Sequence, residues 1–136
     1  MTITKMPIIE HIELITARVP LPEGPWGDQI HHVTDIEVAI VDVHASNGLV
    51  GTGFSHTSGW CGATISALIK EIIPDVIGQR LSPRALWDRS YKYIHDVGGA
   101  GVTTHALSAL DIAYWDLLGT VVTRCKPYDI ILKWKD

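Results

Sequence analysis

The acidic and histidine residues are the first place to look for chemistry in this chain. Asp111 and Asp116 lie five positions apart in a stretch of helical periodicity, so their side chains point about 140° away from each other. They are therefore not expected to bind one metal ion together. His31 and His32 are adjacent, point in different directions and have no evident third ligand, which argues against a metal site there.

A glycine-rich loop precedes the longest helical segment. Residues 98–101 read GGAG, and a glycine-rich loop before a helix can bind phosphate. Here the loop joins two helices and no Gly-Lys-Ser/Thr follows, which favours a hinge or a close-packed turn. His95 and Asp96 are sequence neighbours and are expected to point apart rather than form an acid–base pair. No nucleophile elbow, HExxH or Walker motif occurs, so the residues alone predict no complete catalytic set.

Two tryptophans lie in segments with the composition of loops. Trp26 belongs to Leu21–His32, which contains two prolines and two glycines, and Trp60 belongs to Thr57–Gly62. A loop tryptophan is expected either to pack on its own domain or to line a ligand pocket, and the residues leave both interpretations open.

The composition is that of one globular domain. The chain has 136 residues, 46% of them hydrophobic, and a formal net charge of −4 without a basic cluster, so nucleic acid is not an expected partner. Cys61 and Cys125 lie far apart and are expected to be reduced thiols. The sequence begins without an apolar signal core, and no apolar run approaches the roughly 18 residues of a membrane-spanning helix. We expect a cytoplasmic protein with no membrane partner.

Hydrophobic periodicity predicts three strands followed by three helices, and so an α+β fold. The Asn47-Gly48 pair is a strong hairpin signal and predicts an antiparallel meander. Pro74 is expected to end the first helix, and Gly119 to follow the last one. The predicted strands are Ile8–Val19, Val33–Ala45 and Leu49–His56, and the predicted helices are Ala63–Ile73, Pro83–His95 and Thr103–Gly119.

The last predicted helix, Thr103–Gly119, is apolar around nearly its whole circumference. Such a helix is normally buried against more than one neighbour. In a small domain this apolar surface is expected to exceed what the chain itself can cover, leaving Leu107, Tyr114 and Leu118 incompletely enclosed. The helix is therefore predicted to associate with a second copy or with a partner.

Four segments, taken in order, resemble a known domain. They are RVPLP at 18–22, IVDVHASNGLVGTGFS at 40–55, IIPDVIGQRLSPRALWDRSY at 72–91 and ALSALDIAYWDLLG at 106–119. Together they resemble the N-terminal capping domain of the enolase superfamily, in its mandelate racemase and muconate-lactonising branch. The segments GTGFSH and GGAGVTTHALSALDIAYWD are most similar to the acid-sugar dehydratase members.

The resemblance implies a domain that closes the mouth of a (β/α) barrel. In that family the barrel supplies the ligands of a catalytic Mg²⁺ ion and the bases that remove a proton beside a carboxylate. Two loops of the cap shape the substrate pocket, and they correspond here to Leu21–His32 and Ser55–Gly62. The implied substrate-capping residues are Trp26, Asp28, His56 and Trp60.

The end of the chain departs from the family pattern. After Gly119 it reads TVVTRCKPYDIILKWKD, without the usual link to a first barrel strand. We therefore divide the chain into a capping domain, 1–119, and an atypical tail, 120–136, and expect this chain alone to be catalytically inactive, with no Mg²⁺ ligands of its own. The alternatives are a stand-alone module that binds a small acid or another protein, which includes docking to a barrel through Thr103–Gly119, and a non-functional gene remnant.

Overall fold

The computed structural model describes residues 5–124 of the chain. A three-stranded antiparallel sheet, in the order β1-β4-β5, packs one face against three helices, and a separate two-stranded ladder joins β2 to β3. The elements are β1 Ile9–Pro20, β2 Trp26–Gly27, β3 His32–Val33, β4 Asp35–Ala45, β5 Val50–Thr57, α1 Gly62–Val76, α2 Pro83–Ile94 and α3 Val102–Thr123. The predicted α+β architecture is confirmed.

The hairpin between β4 and β5 forms at the predicted Asn-Gly turn. The amide of Ala45 donates to the carbonyl of Leu49 at 2.9 Å, and Gly48 adopts a φ of +76° that favours glycine. The side chain of Asn47 accepts a hydrogen bond from the Leu49 amide at 3.2 Å. This turn fixes the register in which Ile40 pairs with Phe54.

The predicted second strand begins too early. Val33 belongs to the small ladder, where it pairs with Trp26, and β4 begins only at Asp35. The segment predicted as a plain loop, Leu21–His32, therefore contains a β-turn hairpin of its own. Val33 is 2% exposed. The strand prediction began too early because Val33 is apolar and buried like the residues of β4, although it pairs with Trp26 instead.

Two glycines of β5 let α3 lie directly on the sheet. A Cβ atom at Gly53 would lie 2.1 Å from the carbonyl oxygen of Ala109, and one at Gly51 would lie 2.3 Å from that of Ala113. Both contacts are with backbone, so only glycine fits. The small side chains of Ala109 and Ala113, both fully buried, complete this close approach.

The core lies between the inner sheet face and the helices, and it encloses more of α3 than the sequence suggested. Leu107 is 7% exposed and Tyr114 is fully buried, while Leu118 is partly buried, so the prediction that these three side chains stay open is wrong for the first two. Helix α3 packs against β5, β4, α1 and α2, and these elements enclose its inner face. The apolar side chains that α3 leaves open are Ile112 and Trp115 instead, which are 43% and 54% exposed.

Two helices run past their predicted ends. α1 continues through Pro74 to Val76, and α3 continues through Gly119 to Thr123. In each case a buried side chain lies in the added turn, Val76 at 0% exposure and Val121 at 3%. Burial of these side chains outweighs the helix-breaking tendency of the residue before them.

Helix α2 buries a narrow face. Leu86 and Ile94 are buried, but Trp87 is half-buried and Tyr91 is 37% exposed. The two rings stack on each other at 5.0 Å between centroids with planes 6° apart. This stacking shields from solvent part of the aromatic surface that the core does not cover.

Helix α3 has the length and composition of a membrane-spanning helix, although 44% of its most apolar window is buried inside the protein. The core helix of a globular domain has the same properties, and the glycine contacts with β5 place α3 in that role.

Candidate functional site

Both loops that carry a tryptophan emerge from the same end of the sheet. Pro20, at the end of β1, pairs with Asp35 at the start of β4, and Thr57, at the end of β5, pairs with Glu37. The antiparallel order therefore brings residues 21–34, here called the first loop, beside residues 58–61, here called the second loop.

Asp28 organises the tip of the first loop. Its Oδ1 accepts hydrogen bonds from the backbone amides of Ile30 and His31, each at 2.8 Å, and from the His31 ring at 3.0 Å. The Asp28 amide in turn donates to the His31 carbonyl at 3.1 Å. The amide of Ile30 is the main cause, and the His31 ring the next, of a pKa for the Asp28 carboxyl of about 2. The Asp28 carboxylate therefore stabilises the turn in which it lies.

Arg18 ties the second loop to the sheet. Its Nε donates to a carboxylate oxygen of Asp35, and its Nη2 donates to the carbonyl oxygen of Gly59 at 3.0 Å. Gly59 needs its glycine because its φ is +82° and a Cβ would lie 3.1 Å from the Asp35 carbonyl oxygen. The hydrogen bond from Arg18 lowers the pKa of the Asp35 carboxyl, which keeps the pair charged.

Glu37 holds the point where the second loop becomes α1. Its Oε2 accepts the amide of Gly62 at 2.7 Å, which satisfies a free donor of the first helical turn and places a negative charge at the positive end of the helix. Cys61, just before it, adopts a left-handed φ of 66° and its side chain is exposed. The Glu37 carboxylate therefore stabilises a helix N-terminus that follows a residue in a strained conformation, Cys61.

The two loops touch through His31 and Trp60. Their ring centroids lie 6.3 Å apart with planes at 52°. Trp26 is 54% exposed and Trp60 is 52% exposed, so each of the two residues is about half open to solvent. The aromatic residues that the two loops carry at this end of the sheet are here called the loop surface: Trp26, His31 and Trp60.

His56 lies beside the loop surface rather than in it. It projects from the outer face of β5, opposite Val38, and its ring lies 6.5 Å from that of Phe54 in a stacked arrangement. Of the four implied capping residues, Trp26 and Trp60 are the two half-exposed tryptophans of the loops. Asp28 shapes the turn, and His56 belongs to the outer sheet face.

The residues that hold the loops are not among those that the sequence singled out. Arg18 lies on the same face of β1 as Ile12 and Leu14, and its side chain is 62% exposed. This placement could have been predicted by extending the alternation of side-chain faces along β1 to its last residues. Glu37 carried no such signal, because its partner is a backbone amide 25 residues away.

The described residues do not fit a magnesium site. Residues 5–124 contain no group of three His, Cys, Asp or Glu side chains that could hold a metal ion. Asp116 accepts a hydrogen bond from the Thr52 amide at 2.9 Å, while Asp111 faces the opposite side of α3.

The expectation that His95 and Asp96 point apart is wrong, because a tight helical turn brings His95 Nε2 to 2.9 Å from Asp96 Oδ1. That pair is exposed on the surface.

A family profile covers almost all of the described chain. It is described as "Mandelate racemase / muconate lactonizing enzyme, N-terminal domain", and it matches residues 11–124. The match takes in the sheet, all three helices and both loops.

Individual relatives are sugar-acid enzymes about three times as long. The chain is 30% identical to the 3,6-anhydro-alpha-L-galactonate cycloisomerase of Streptomyces coelicolor over 82% of this chain and 32% of the relative. It is 29% identical to the L-talarate/galactarate dehydratase of Salmonella typhimurium over 80% of this chain and 29% of the relative.

Solved structures agree with the sequence comparison. A racemase from Streptomyces coelicolor with bound magnesium matches with a TM-score of 0.79 at 28% identity, over 82% of this chain and 32% of that one. The Salmonella typhimurium dehydratase, liganded with Mg and L-lyxarohydroxamate, matches with a TM-score of 0.80 at 26% identity, over 86% and 32%. The chain thus spans about a third of each relative's length. It belongs to the mandelate racemase and muconate lactonizing enzyme family of the enolase superfamily, as the N-terminal domain of that family.

Proposed function

We propose that this chain is the capping domain of a Mg²⁺-dependent enzyme that removes the proton beside the carboxylate of a small hydroxy acid. In this proposal the loop surface of Trp26, His31 and Trp60 closes over the acid and excludes water from the reacting carbon. The metal and the bases belong to a barrel domain, and the residues described here supply neither. A cytoplasmic location remains a prediction of the sequence.

The observation that carries this proposal is the way both loops are fixed around two half-exposed indoles. Arg18, Asp35 and Glu37 hold the second loop, and Asp28 holds the first, so the aromatic rings are positioned before any ligand arrives. Holding exposed aromatic side chains in place costs conformational entropy. In a pocket wall that cost is offset, because the ligand then binds to groups that are already positioned. The named relatives, a cycloisomerase and a dehydratase of sugar acids, support the substrate class.

A full-length chimera tests the proposal. Residues 11–124 of this chain would replace the matching N-terminal segment of the Salmonella typhimurium dehydratase, and galactarate turnover would be measured with Mg²⁺. Trp60→Ala is expected to lower kcat/KM about tenfold, chiefly by raising KM, because the substrate loses one apolar wall. Tyr93→Ala is the matched control, since Tyr93 is also 52% exposed but lies on α2.

A stand-alone binding module would behave differently. Calorimetry of this chain with aldarates and aldonates is expected to give flat titrations, because the loop surface alone offers only one side of a pocket. Saturable binding of any of these acids to the isolated chain would favour the binding module instead.

A further inference from the structure

Helix α3 runs antiparallel to β5 and begins at the end of the sheet from which both loops emerge. Gly53 of β5 lies against the backbone of Ala109, and two residues later the Ser55 hydroxyl and His105 Nδ1 form a hydrogen bond at 2.9 Å. Two residues forward along β5 thus correspond to four residues back along α3, since each step spans roughly 6–7 Å. The first turn of α3 therefore lies beside the end of β5, where the second loop begins.

The Ser55–His105 pair holds an exposed imidazole in place. Ser55 is only 5% exposed, whereas His105 is an exposed residue. Among residues 5–124, Nδ1 is the only ring nitrogen of His105 with a hydrogen-bond partner. A buried hydroxyl thus orients the ring through one nitrogen and leaves the other, Nε2, available to a molecule outside the described residues.

Several other polar side chains at this end are already engaged. The Asp28 carboxylate accepts from its own turn and from the His31 ring, and the Arg18 guanidinium is paired with Asp35. The hydroxyl of Thr57 is buried and closed to solvent. The loop surface therefore offers a ligand mainly aromatic area, and His105 adds a hydrogen-bonding group beside it.

The chemistry of the pair indicates the kind of group that His105 would bind. The Ser55 hydroxyl can donate to Nδ1 or accept from it, so Nε2 can serve as an acceptor or as a donor. An alcohol hydroxyl complements both forms, because it also donates and accepts. A carboxylate only accepts, and the planar fork of a free arginine would suit it better.

We propose that His105 is a substrate-specificity residue, which hydrogen-bonds a hydroxyl group on the carbon chain of the acid, and that Ser55 is its positioning residue. The inference rests on the proposed function, because the acid lies at this end of the sheet only if the loops close over it. It narrows the substrate from a hydroxy acid to one with several hydroxyl groups. A site that hydrogen-bonds a substrate hydroxyl rejects analogues that lack it.

Protection from chemical modification tests the contact without altering it. Diethyl pyrocarbonate would be applied to the chimera described above, and mass spectrometry would give the modification rate of each histidine. With Mg²⁺ and L-lyxarohydroxamate, a ligand of the Salmonella typhimurium dehydratase, the rate at His105 is expected to fall about fivefold or more, because a bound ligand covers the groups that it contacts. The internal control is His11, an exposed histidine that pairs with His44 at the other end of the sheet. Equal rates at His105 with and without the ligand would overturn the inference.

Variants of the chimera provide a second measurement. His105→Phe keeps a ring but removes both nitrogens, and it is expected to raise KM for galactarate about tenfold with little change in kcat, since one hydrogen bond to the substrate is lost. His105→Gln can still form that bond and is expected to recover most of the affinity. His11→Phe is the matched control and should leave KM unchanged. A parental KM in His105→Phe would contradict the proposal.

A double variant separates substrate contact from packing. His105→Phe leaves the buried Ser55 hydroxyl without its partner and should lower the thermal midpoint, whereas His105→Phe with Ser55→Ala should recover the midpoint and keep the high KM. A KM that returns to the parental value in the double variant would show a purely structural role and overturn the inference.

Failure of this inference is distinguishable from failure of the proposed function. A raised KM in Trp60→Ala with an unchanged KM in His105→Phe would reject the role of His105 and retain the capping loops. Unchanged KM values in both variants, or no binding of L-lyxarohydroxamate to the chimera, would reject the two together.

Discussion

The guanidinium of Arg18 donates from Nη2 to the carbonyl oxygen of Gly59 at 3.0 Å, joining residues 41 positions apart in the sequence. The same guanidinium pairs with Asp35, the first residue of β4. One side chain thus connects the end of β1, the start of β4 and the loop that carries Trp60. This connection holds the second loop, which carries Trp60, against the end of the sheet.

Replacing Arg18 is expected to loosen the second loop without unfolding the domain. Arg18→Met removes both hydrogen bonds but keeps the aliphatic part of the side chain on the sheet. Faster amide exchange at Gly62 and greater quenching of tryptophan fluorescence by acrylamide would follow. Arg18→Lys is the matched comparison, because a lysine keeps the charge but lacks the planar guanidinium whose separate nitrogens reach Asp35 and Gly59. Unchanged exchange in Arg18→Met would show that the loop is held by other contacts.

The first loop is expected to respond to acid through Asp28. The pKa of its carboxyl is lowered from 3.8 to about 2 in the folded chain, so its stabilising effect is complete above pH 4 and is lost as the pH falls towards 2. NMR shifts of the Ile30 and His31 amides should titrate in that window. In Asp28→Asn, which cannot ionise, these shifts should not titrate. A midpoint near 3.8 in the parent protein would mean that the carboxylate is not held by the turn.

The contact between β5 and α3 predicts opposite effects for two glycine substitutions. Gly53→Ala places a Cβ against the backbone of Ala109 and Ala113 and is expected to destabilise the fold by about 3 kcal/mol or more. Gly119→Ala meets nothing within 4 Å in the middle of a helical turn, and is expected to stabilise the fold by roughly 0.5–1 kcal/mol. Urea unfolding of the two variants measures both effects. Equal stabilities would contradict the close packing of helix on sheet.

Tyr114 is expected to be better replaced by phenylalanine. Its hydroxyl is buried and finds no hydrogen-bond partner among the described residues, although the Ser90 hydroxyl, which donates to the Leu86 carbonyl at 2.9 Å, lies nearby. Tyr114→Phe should therefore raise the free energy of unfolding by about 1 kcal/mol at neutral pH. A loss of stability in urea unfolding would indicate that the hydroxyl has a partner after all.

Alkaline pH should increase the advantage of the phenylalanine variant. Burial raises the pKa of the Tyr114 hydroxyl above its ordinary value of 10, so the folded state holds the proton more tightly than the unfolded chain. Stability from this group is complete below pH 10 and decreases as the pH rises above it. The difference in unfolding free energy between Tyr114→Phe and the parent should therefore grow between pH 10 and 11.

The order of elements was readable from the sequence because each element has a strong local signal. Asn47-Gly48 specifies the hairpin, and the apolar periods of α1, α2 and α3 specify three helices. The ends of α1 and α3 were not readable, because Pro74 and Gly119 are outweighed by tertiary burial of Val76 and Val121.

The candidate site was only partly readable for a physical reason. Trp26 and Trp60 stand out as large aromatic residues in loops, so composition alone draws attention to them. Arg18 donates to a backbone carbonyl and Glu37 accepts from a backbone amide, and both partners are far away in the sequence. Because every residue has these backbone groups, the sequence pattern does not indicate such contacts. The exposed face of α3 could not be predicted either, because the packing of α2 decides that Tyr114 is buried and Trp115 is exposed.

The central claim is that Trp26 and Trp60 form part of a substrate pocket that another domain completes. The most direct test is the KM for galactarate of the full-length chimera and of its Trp60→Ala variant, measured at saturating Mg²⁺ beside the Tyr93→Ala control. The account predicts a KM about tenfold higher for Trp60→Ala and an unchanged KM for Tyr93→Ala. Equal KM values for the parent chimera and Trp60→Ala would contradict it.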